Sequence, residues 1–278
     1  MQLIDIGANL THPAFRDDRD AVLARAQAAG VGAIVVTGTT VEESRAAAAL
    51  ADAHPGTLWA TAGVHPHHAH ECSAATIPAL RELAAHPRVV ALGECGLDFN
   101  RNYSPRPDQE KWLEAQIELA CELGKPLFLH SRDAHPRFAE VLRAHRERLP
   151  RAAAHCFTGE GAELRAYLEL GLHVGITGWI CDERRGRHLL SLVREIPRDR
   201  LLLETDSPYL TPRDLRPQSK ARRNEPAHLA HIARAVAKAL GRPPEEVAAE
   251  TARNARAFFG LPPDESRPAP AAQRALAA

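Results

Sequence analysis

Four polar residues, each at or just beyond the end of a short apolar run, are the first candidates for chemistry in this chain of 278 residues. Glu94 ends VVALGE, His130 ends PLFLH, His155 ends AAAH, and Asp206 follows LLLE closely. Two imidazoles and two carboxylates that converge would bind a divalent cation through mixed nitrogen and oxygen ligands. Such a site is compatible with Mg²⁺, Mn²⁺ or Zn²⁺, and the share of carboxylates favours a harder ion.

Such a site could carry out hydrolysis without a protein nucleophile, because a bound ion lowers the pKa of water and polarises the bond under attack. We therefore predict that Glu94 and Asp206 are catalytic as well as metal-binding. Glu204 is a weaker catalytic candidate, since successive strand residues alternate direction and it shares a face with Asp206 only if the strand continues. A single histidine at a strand end is more often structural, but four such positions together favour a site.

The spacing of these residues indicates the elements that must position them. They are separated by 130 − 94 = 36, 155 − 130 = 25 and 206 − 155 = 51 residues. These intervals fit about 30 residues per βα unit if the last interval contains one additional strand. Apolar runs alternate with segments of helical period, as in parallel βαβ units. The eight predicted strands are Leu3–Ile6, Ala33–Thr37, Leu58–Ala62, Val89–Gly93, Pro126–His130, Ala152–His155, Leu172–Ile176 and Leu201–Glu204.

The fold we predict is α/β, a TIM-like (β/α)8 barrel of the metal-dependent hydrolase type that spans residues 1–260. A doubly wound sheet is the alternative, but the first turn, GANLTHPAF, has no GxGxxG. A proline-broken loop from Ser207 to Arg223 precedes a helix with Asn224 as its cap and Pro226 in its first turn, and another helix over Pro244–Phe259. Residues 261–278 are rich in Pro and Ala and are predicted to form a disordered tail.

The composition excludes a protein with a large net charge. Lys and Arg total 35, as do Asp and Glu, so bulk attraction to nucleic acid or a membrane is not implied and any basic surface must be local. The five cysteines form no CxxC pair and suit reduced thiols, and no run approaches the ~20 apolar residues of a membrane span. We expect a cytoplasmic monomer without membrane partners.

Seven stretches of the sequence closely resemble the TatD family of metal-dependent deoxyribonucleases, and they cover nearly all of residues 1–260. They are GVHPH, GECGLDFNRN, HSRDAH, HCFTG, GITGWICDERRG, ETDSPYL and RRNEPAH. The resemblance implies a TIM-like barrel and Mg²⁺-dependent hydrolysis of phosphodiesters. It also implies 3′-to-5′ exonuclease action on single-stranded DNA, with RNA as a further substrate, in DNA repair or degradation.

One departure from the family concerns an HxH pair that many members carry on the first strand and that helps to bind a second metal. Gly7 and Asn9 stand in those places. We therefore predict one firm ion, held by Glu94, His130 and His155, and a second, weaker position between Glu94 and Asp206.

The working mechanism is in-line attack of a water on the phosphodiester, with Asp206 orienting or deprotonating that water. His65, in the tract TAGVHPHHAH, is expected to contact substrate or water. Guanidinium groups match phosphate geometry, and Trp179 and Tyr209 could stack on bases. The predicted phosphate contacts are His65, Arg132, Arg184, Arg185, Arg222 and Arg223.

Two other functions compete with this one. A barrel hydrolase of amides, lactones or D-aminoacyl esters would use similar metal chemistry, and a fold alone cannot separate the two. A nucleic-acid-binding protein that has lost catalysis would also lack the first-strand histidines, but the retained Glu94, His130, His155 and Asp206 argue against it.

Overall fold

The computed structural model describes residues 2–216 and 223–263. Within them, eight strands pair in parallel and in sequence order, as the (β/α)8 prediction requires. They are β1 Leu3–Ala8, β2 Val31–Val36, β3 Leu58–Ala62, β4 Val89–Asp98, β5 Leu127–Arg132, β6 Ala152–Ala154, β7 His173–Ile176 and β8 Leu201–Leu203. The predicted fold class is confirmed.

The barrel is nearly closed where its last strand meets its first. The amide of Asn9 donates to the carbonyl of Ser207 at 2.7 Å, and the amide of Asp206 donates to the carbonyl of Gly7 at 2.8 Å. This seam brings the residues that follow β8 directly beside the end of β1. Candidate site residues from the two ends of the sequence therefore become neighbours.

Nine helices lie within the described residues, and most alternate with the strands. They are α1 Arg19–Ala28, α2 Val41–Ala53, α3 Thr76–Ala84, α4 Arg106–Leu123, α5 His135–Ala144, α6 Gly161–Glu169, α7 Leu189–Leu192, α8 Leu229–Leu240 and α9 Pro244–Phe259. In α4, Leu113, Ile117 and Ala120 repeat at helical spacing and are buried. That helix ends at Leu123, and Gly124, with a φ of 62°, supplies the left-handed cap.

The strands bury both of their faces, which is why they read as almost continuous apolar runs. Ile4 and Ile6 in β1 belong to one apolar cluster, inside the barrel, together with Phe128 of β5. Phe258 and Phe259 at the end of α9 join the same cluster. The final helix thus closes the barrel, and the predicted bounds of that helix, Pro244–Phe259, are confirmed.

One predicted cap is wrong. A 3-10 turn over Pro226–His228 precedes α8, and Glu225 occupies its cap position. The amide nitrogen of Asn224 instead donates to the carbonyls of Thr205 at 2.9 Å and Tyr209 at 2.7 Å. Asn224 therefore ties the chain after β8 together, because its buried amide is satisfied by two loop carbonyls instead of by a helix end.

Two predictions lie at least partly beyond the described residues. The tail predicted for 261–278 is outside them from residue 264 onwards, and so is Arg222. Among residues 2–216 and 223–263, no helix combines the length and the apolar character that crossing a membrane requires. All five cysteines are free thiols, as their spacing predicted.

Candidate active site

Glu94 lies at the centre of the site, on β4, with three histidines around one of its oxygens. Glu94 Oε1 is 2.9 Å from His130 Nδ1, 3.0 Å from His155 Nε2 and 3.3 Å from His65 Nε2. The histidines come from the carboxyl ends of three other strands or the residues just after them. Burial alone would raise the pKa of Glu94, but His155, His65 and His130 lower it well below its usual value.

His155 is held between two carboxylates. Its Nδ1 donates to Glu204 Oε2 at 2.8 Å, while its Nε2 faces Glu94. The amide of Cys156 donates to the other oxygen of Glu204 at 2.5 Å. Burial opposes charge on His155, yet Glu94 and Glu204 raise its pKa well above the usual value. Glu204 is fully buried and contacts the site through His155, as carboxylates behind metal-binding histidines commonly do.

Gly7 makes room for Glu204. A Cβ at position 7 would lie 2.6 Å from Glu204 Oε2 and 2.9 Å from Phe128 Cζ. No side chain fits there without displacing one of these groups. The space beside Gly7 is therefore filled by the carboxylate of Glu204 and the ring of Phe128.

Asp206 faces the same cavity from the chain after β8. Burial, together with the charges of Glu94 and Glu204, raises its pKa to about 7, against the influence of His155. The side-chain amide of Asn9 donates to Asp206 Oδ1 at 3.1 Å. Asn9 thus orients a carboxylate, a function that its short polar side chain can perform without binding a metal.

Two further residues of the site were not among the predicted ligands. Asp98 Oδ2 is 2.7 Å from His67 Nε2 and 3.6 Å from His130 Nε2. Burial would raise the pKa of Asp98, but His130 and His67 lower it far below its usual value. The alternation of side chains along a strand could have indicated Asp98, because β4 continues to this residue and places it near Glu94. His67 belongs to the histidine tract after β3, from which the sequence singled out only His65.

The donor set fits a divalent cation. Ligand atoms of His65, Glu94 and His130 lie within 4.8 Å of one another. His130 Nε2 is buried and has no hydrogen-bond partner among the described residues. The buried carboxylates Glu94, Asp98 and Glu204, together with the half-buried Asp206, concentrate negative charge at one end of the barrel, and a bound cation would offset it.

A cavity of about 1010 Å³ opens above the cluster. Arg132 and Arg185 of the predicted phosphate contacts line it, as does His65, whereas Arg184 and Arg223 do not. Arg223 instead forms an ion pair with Asp18 at 2.7 Å. The lining also includes an arginine and a tyrosine that the sequence did not single out, Arg101 and Tyr103.

Comparison with known proteins decides the family. The family model described as TatD related DNase matches residues 4–260. The chain belongs to this family. A protein from Erwinia amylovora, named 3′-5′ ssDNA/RNA exonuclease TatD, is 55% identical, and the match covers 93% of this chain and all of that one. A protein of the same name from Erwinia billingiae is 54% identical over 94% of this chain and all of its own length.

Solved structures agree with the family assignment. A TatD homolog from Escherichia coli superposes with a TM-score of 0.85 at 30% identity, covering 94% of this chain and 98% of that one. As a member of the TatD-related DNase family the chain is an enzyme, a hydrolase, and the family depends on metal. The cluster around Glu94 is its candidate metal site.

Proposed function

We propose that this TatD-family chain is a metal-dependent nuclease that removes nucleotides from the 3′ end of single-stranded DNA, and also of RNA. The observation that supports it most is the cluster of His65, Glu94, His130 and His155 at the floor of a cavity lined by arginines and tyrosines. The Erwinia relatives, which match over their full length, are named 3′-5′ ssDNA/RNA exonucleases, and this supports the proposed substrate and polarity.

The cavity walls supply groups for a flexible strand. Arg101 and Arg132 line the side that includes Asp98, and both offer planar guanidinium donors for phosphate oxygens. Tyr103 and Tyr209 also line the cavity and are 61% and 51% exposed. Exposed aromatic rings beside cationic groups bind single strands by stacking on bases, whatever the sequence.

We propose that Glu94, His130 and His155 hold a resident Mg²⁺, with His65 beside it, and that a second, weaker position lies between Glu94 and Asp206. When bound, the ion polarises the phosphate and makes a water more acidic. Glu204 keeps His155 in the tautomer that presents Nε2 to the site. Asp206, oriented by Asn9, accepts the proton of the attacking water.

The remaining predictions belong to the same proposal. Cytoplasmic location, a monomeric state and a role in DNA repair or degradation fit free thiols and a nuclease of single strands. Arg185 is a weaker phosphate contact than Arg132, because it already pairs with Asp182 at 3.1 Å. Arg184, Arg222 and Arg223 remain predictions that no contact in the described residues supports.

The test is digestion of one single-stranded oligonucleotide labelled in turn at each end. A 3′-to-5′ exonuclease releases the 3′ label as a mononucleotide at once and leaves a ladder of shortened strands with the 5′ label. We expect this pattern with Mg²⁺ and its loss with EDTA. Glu94→Gln should lower the rate by at least about 100-fold, since it removes the central charge, whereas the exposed Glu118→Gln in α4 should not.

Other outcomes would select the competing functions. Binding of the oligonucleotide without cleavage would favour the non-catalytic protein. Cleavage of lactones, amides or D-aminoacyl esters without cleavage of DNA or RNA would favour the other class of barrel hydrolase. Either result would contradict the proposal.

A further inference from the structure

A second group of potential metal ligands lies away from the cavity. Cys181 ends a 3-10 turn, Gly178–Cys181, that follows β7, Asp214 belongs to the irregular chain after β8, and His231 is in α8. One ligand atom from each lies within 4.8 Å of the other two. None of the three lines the cavity around Glu94. They are 214 − 181 = 33 and 231 − 214 = 17 residues apart, so the fold brings together three separate segments.

The three side chains already interact. His231 Nε2 is 2.7 Å from Asp214 Oδ1. The residue Cys181 is only 6% exposed, and burial together with the nearby Asp214 raises the pKa of its thiol. Asp214 and His231 are more exposed than the thiol, which leaves the group open to solvent on one side. The neighbouring Arg213 is engaged elsewhere, with Asp182 at 3.7 Å.

The group offers one sulfur, one ring nitrogen and one carboxylate oxygen as ligands. Such a mixed set discriminates between softer and harder metal ions. Zn²⁺ accepts all three ligand types and commonly takes three protein ligands plus water in a tetrahedron. Mg²⁺ prefers oxygen ligands and does not favour thiolate. Ligand atoms around Zn²⁺ lie roughly 3 to 4 Å apart given its bond lengths. The partly exposed Asp214 and His231 would therefore have to separate by about 1 Å.

We propose that Cys181, Asp214 and His231 form a second metal site, specific for Zn²⁺ and similar thiophilic divalent ions and separate from the catalytic centre. A bound ion links the chain after β8 to α8 and to the turn after β7. The same chain carries Tyr209 and Leu210, which line the cavity. The ion thereby stiffens one wall of the active site without contacting the substrate.

The first test follows the metal–sulfur bond itself. Cd²⁺ is added to the full-length chain, and the ultraviolet thiolate-to-cadmium charge-transfer band is recorded. The band should appear with the wild type and disappear in Cys181→Ser. It should persist in Cys156→Ser, which removes the thiol nearest the catalytic centre, and in Cys121→Ser, a half-buried thiol of α4. No band in the wild type, or a band lost in Cys156→Ser and kept in Cys181→Ser, would overturn the proposal.

The second test uses a position whose change does not threaten folding. His231 is partly exposed on α8, so His231→Gln should leave the fold intact. Zn²⁺ should protect Cys181 from alkylation in the wild type, and the Zn²⁺ concentration needed should rise at least about tenfold in His231→Gln. Equal protection in both proteins would contradict a site that includes His231. Because neither readout involves nuclease activity, failure here leaves the proposed function standing.

Discussion

Glu94 organises the active site because three histidines share one of its carboxylate oxygens. His155 shows how the surroundings control a ligand, since Glu204 fixes one ring nitrogen and thereby directs the other towards Glu94. Such carboxylate and histidine pairs orient metal ligands and make them more basic. The precision of the site therefore depends on a residue that does not line the cavity.

Replacing Glu204 tests this arrangement. Glu204→Gln keeps the shape but removes the charge that holds the Nδ1 proton of His155. Divalent-metal affinity should fall by about 10- to 100-fold, measured by titration calorimetry. Glu118→Gln, the same change on an exposed position of α4, should leave the affinity unchanged. Unaltered affinity in Glu204→Gln would show that the pair does not position His155.

Sequence reasoning singled out the candidate ligands that end strands and missed the candidate site residues that depend on backbone geometry. Glu94, His130 and His155 stood out because each closes an apolar run. Asp98 was missed because β4 continues beyond the apolar run to include it. Asn9 was considered only as the residue in place of a family histidine, and its hydrogen bond to Asp206 follows from barrel closure, which no local pattern encodes.

β4 carries two of the site's carboxylates, and its path requires a glycine. Gly96 has a φ of 158°, and a Cβ there would lie 1.8 Å from the carbonyl oxygen of His130. The close approach of β4 and β5 at this point lets Glu94 and Asp98 both reach His130. The apolar run predicted a strand over Val89–Gly93, but the extension of β4 past Gly93 depends on this contact with β5.

The close packing of Glu204 and Phe128 against β1 can be tested by adding one methyl group at Gly7. Gly7→Ala places a Cβ 2.6 Å from Glu204 Oε2, so Glu204 or Phe128 must move. We expect a loss of about 1 to 3 kcal/mol in the free energy of unfolding, with lower nuclease activity, because His155 loses its orientation. Denaturant unfolding measures the first effect.

Gly32→Ala in β2 is the matched control, because its Cβ would meet nothing closer than 3.9 Å. That variant should be as stable and as active as the wild type. A Gly7→Ala protein that matched it in both properties would mean that the space beside Glu204 is not needed.

At the scale of the whole molecule, the chain after β8 forms hydrogen bonds with the end of β1 and thereby nearly closes the barrel. A network of ion pairs then links residues 223–225 to residues 18–25. Arg223 pairs with Asp18 at 2.7 Å, and Arg25 pairs with Glu225 at 2.7 Å. This accounts for Arg223 better than a phosphate contact does. The apolar pattern predicted the barrel, whereas these pairings join residues about 200 positions apart and could not be read from spacing.

The network should make stability depend on pH. Hydrogen bonds from Arg223, and then Arg25, lower the pKa of Asp18 from 3.8 to about 2. A lowered pKa contributes stability above about pH 4 that is lost as the pH falls towards 2. Because Asp18 is 37% exposed, Asp18→Asn should cost less than about 1 kcal/mol at pH 7.

Denaturant unfolding of both proteins from pH 7 to pH 3 checks this dependence. The difference in the free energy of unfolding between wild type and Asp18→Asn should shrink below pH 4. A difference that stayed constant over that range would mean that Asp18 acts through its shape and not its charge.

The central claim is that Glu94 and its histidines bind the ion on which hydrolysis depends. Anomalous scattering from a crystal of the enzyme soaked in Mn²⁺ tests it most directly. The account predicts a peak at about 2.0 to 2.3 Å from Glu94, His130 and His155, as metal–ligand bonds require. A peak elsewhere in the molecule, with none beside Glu94, would contradict it.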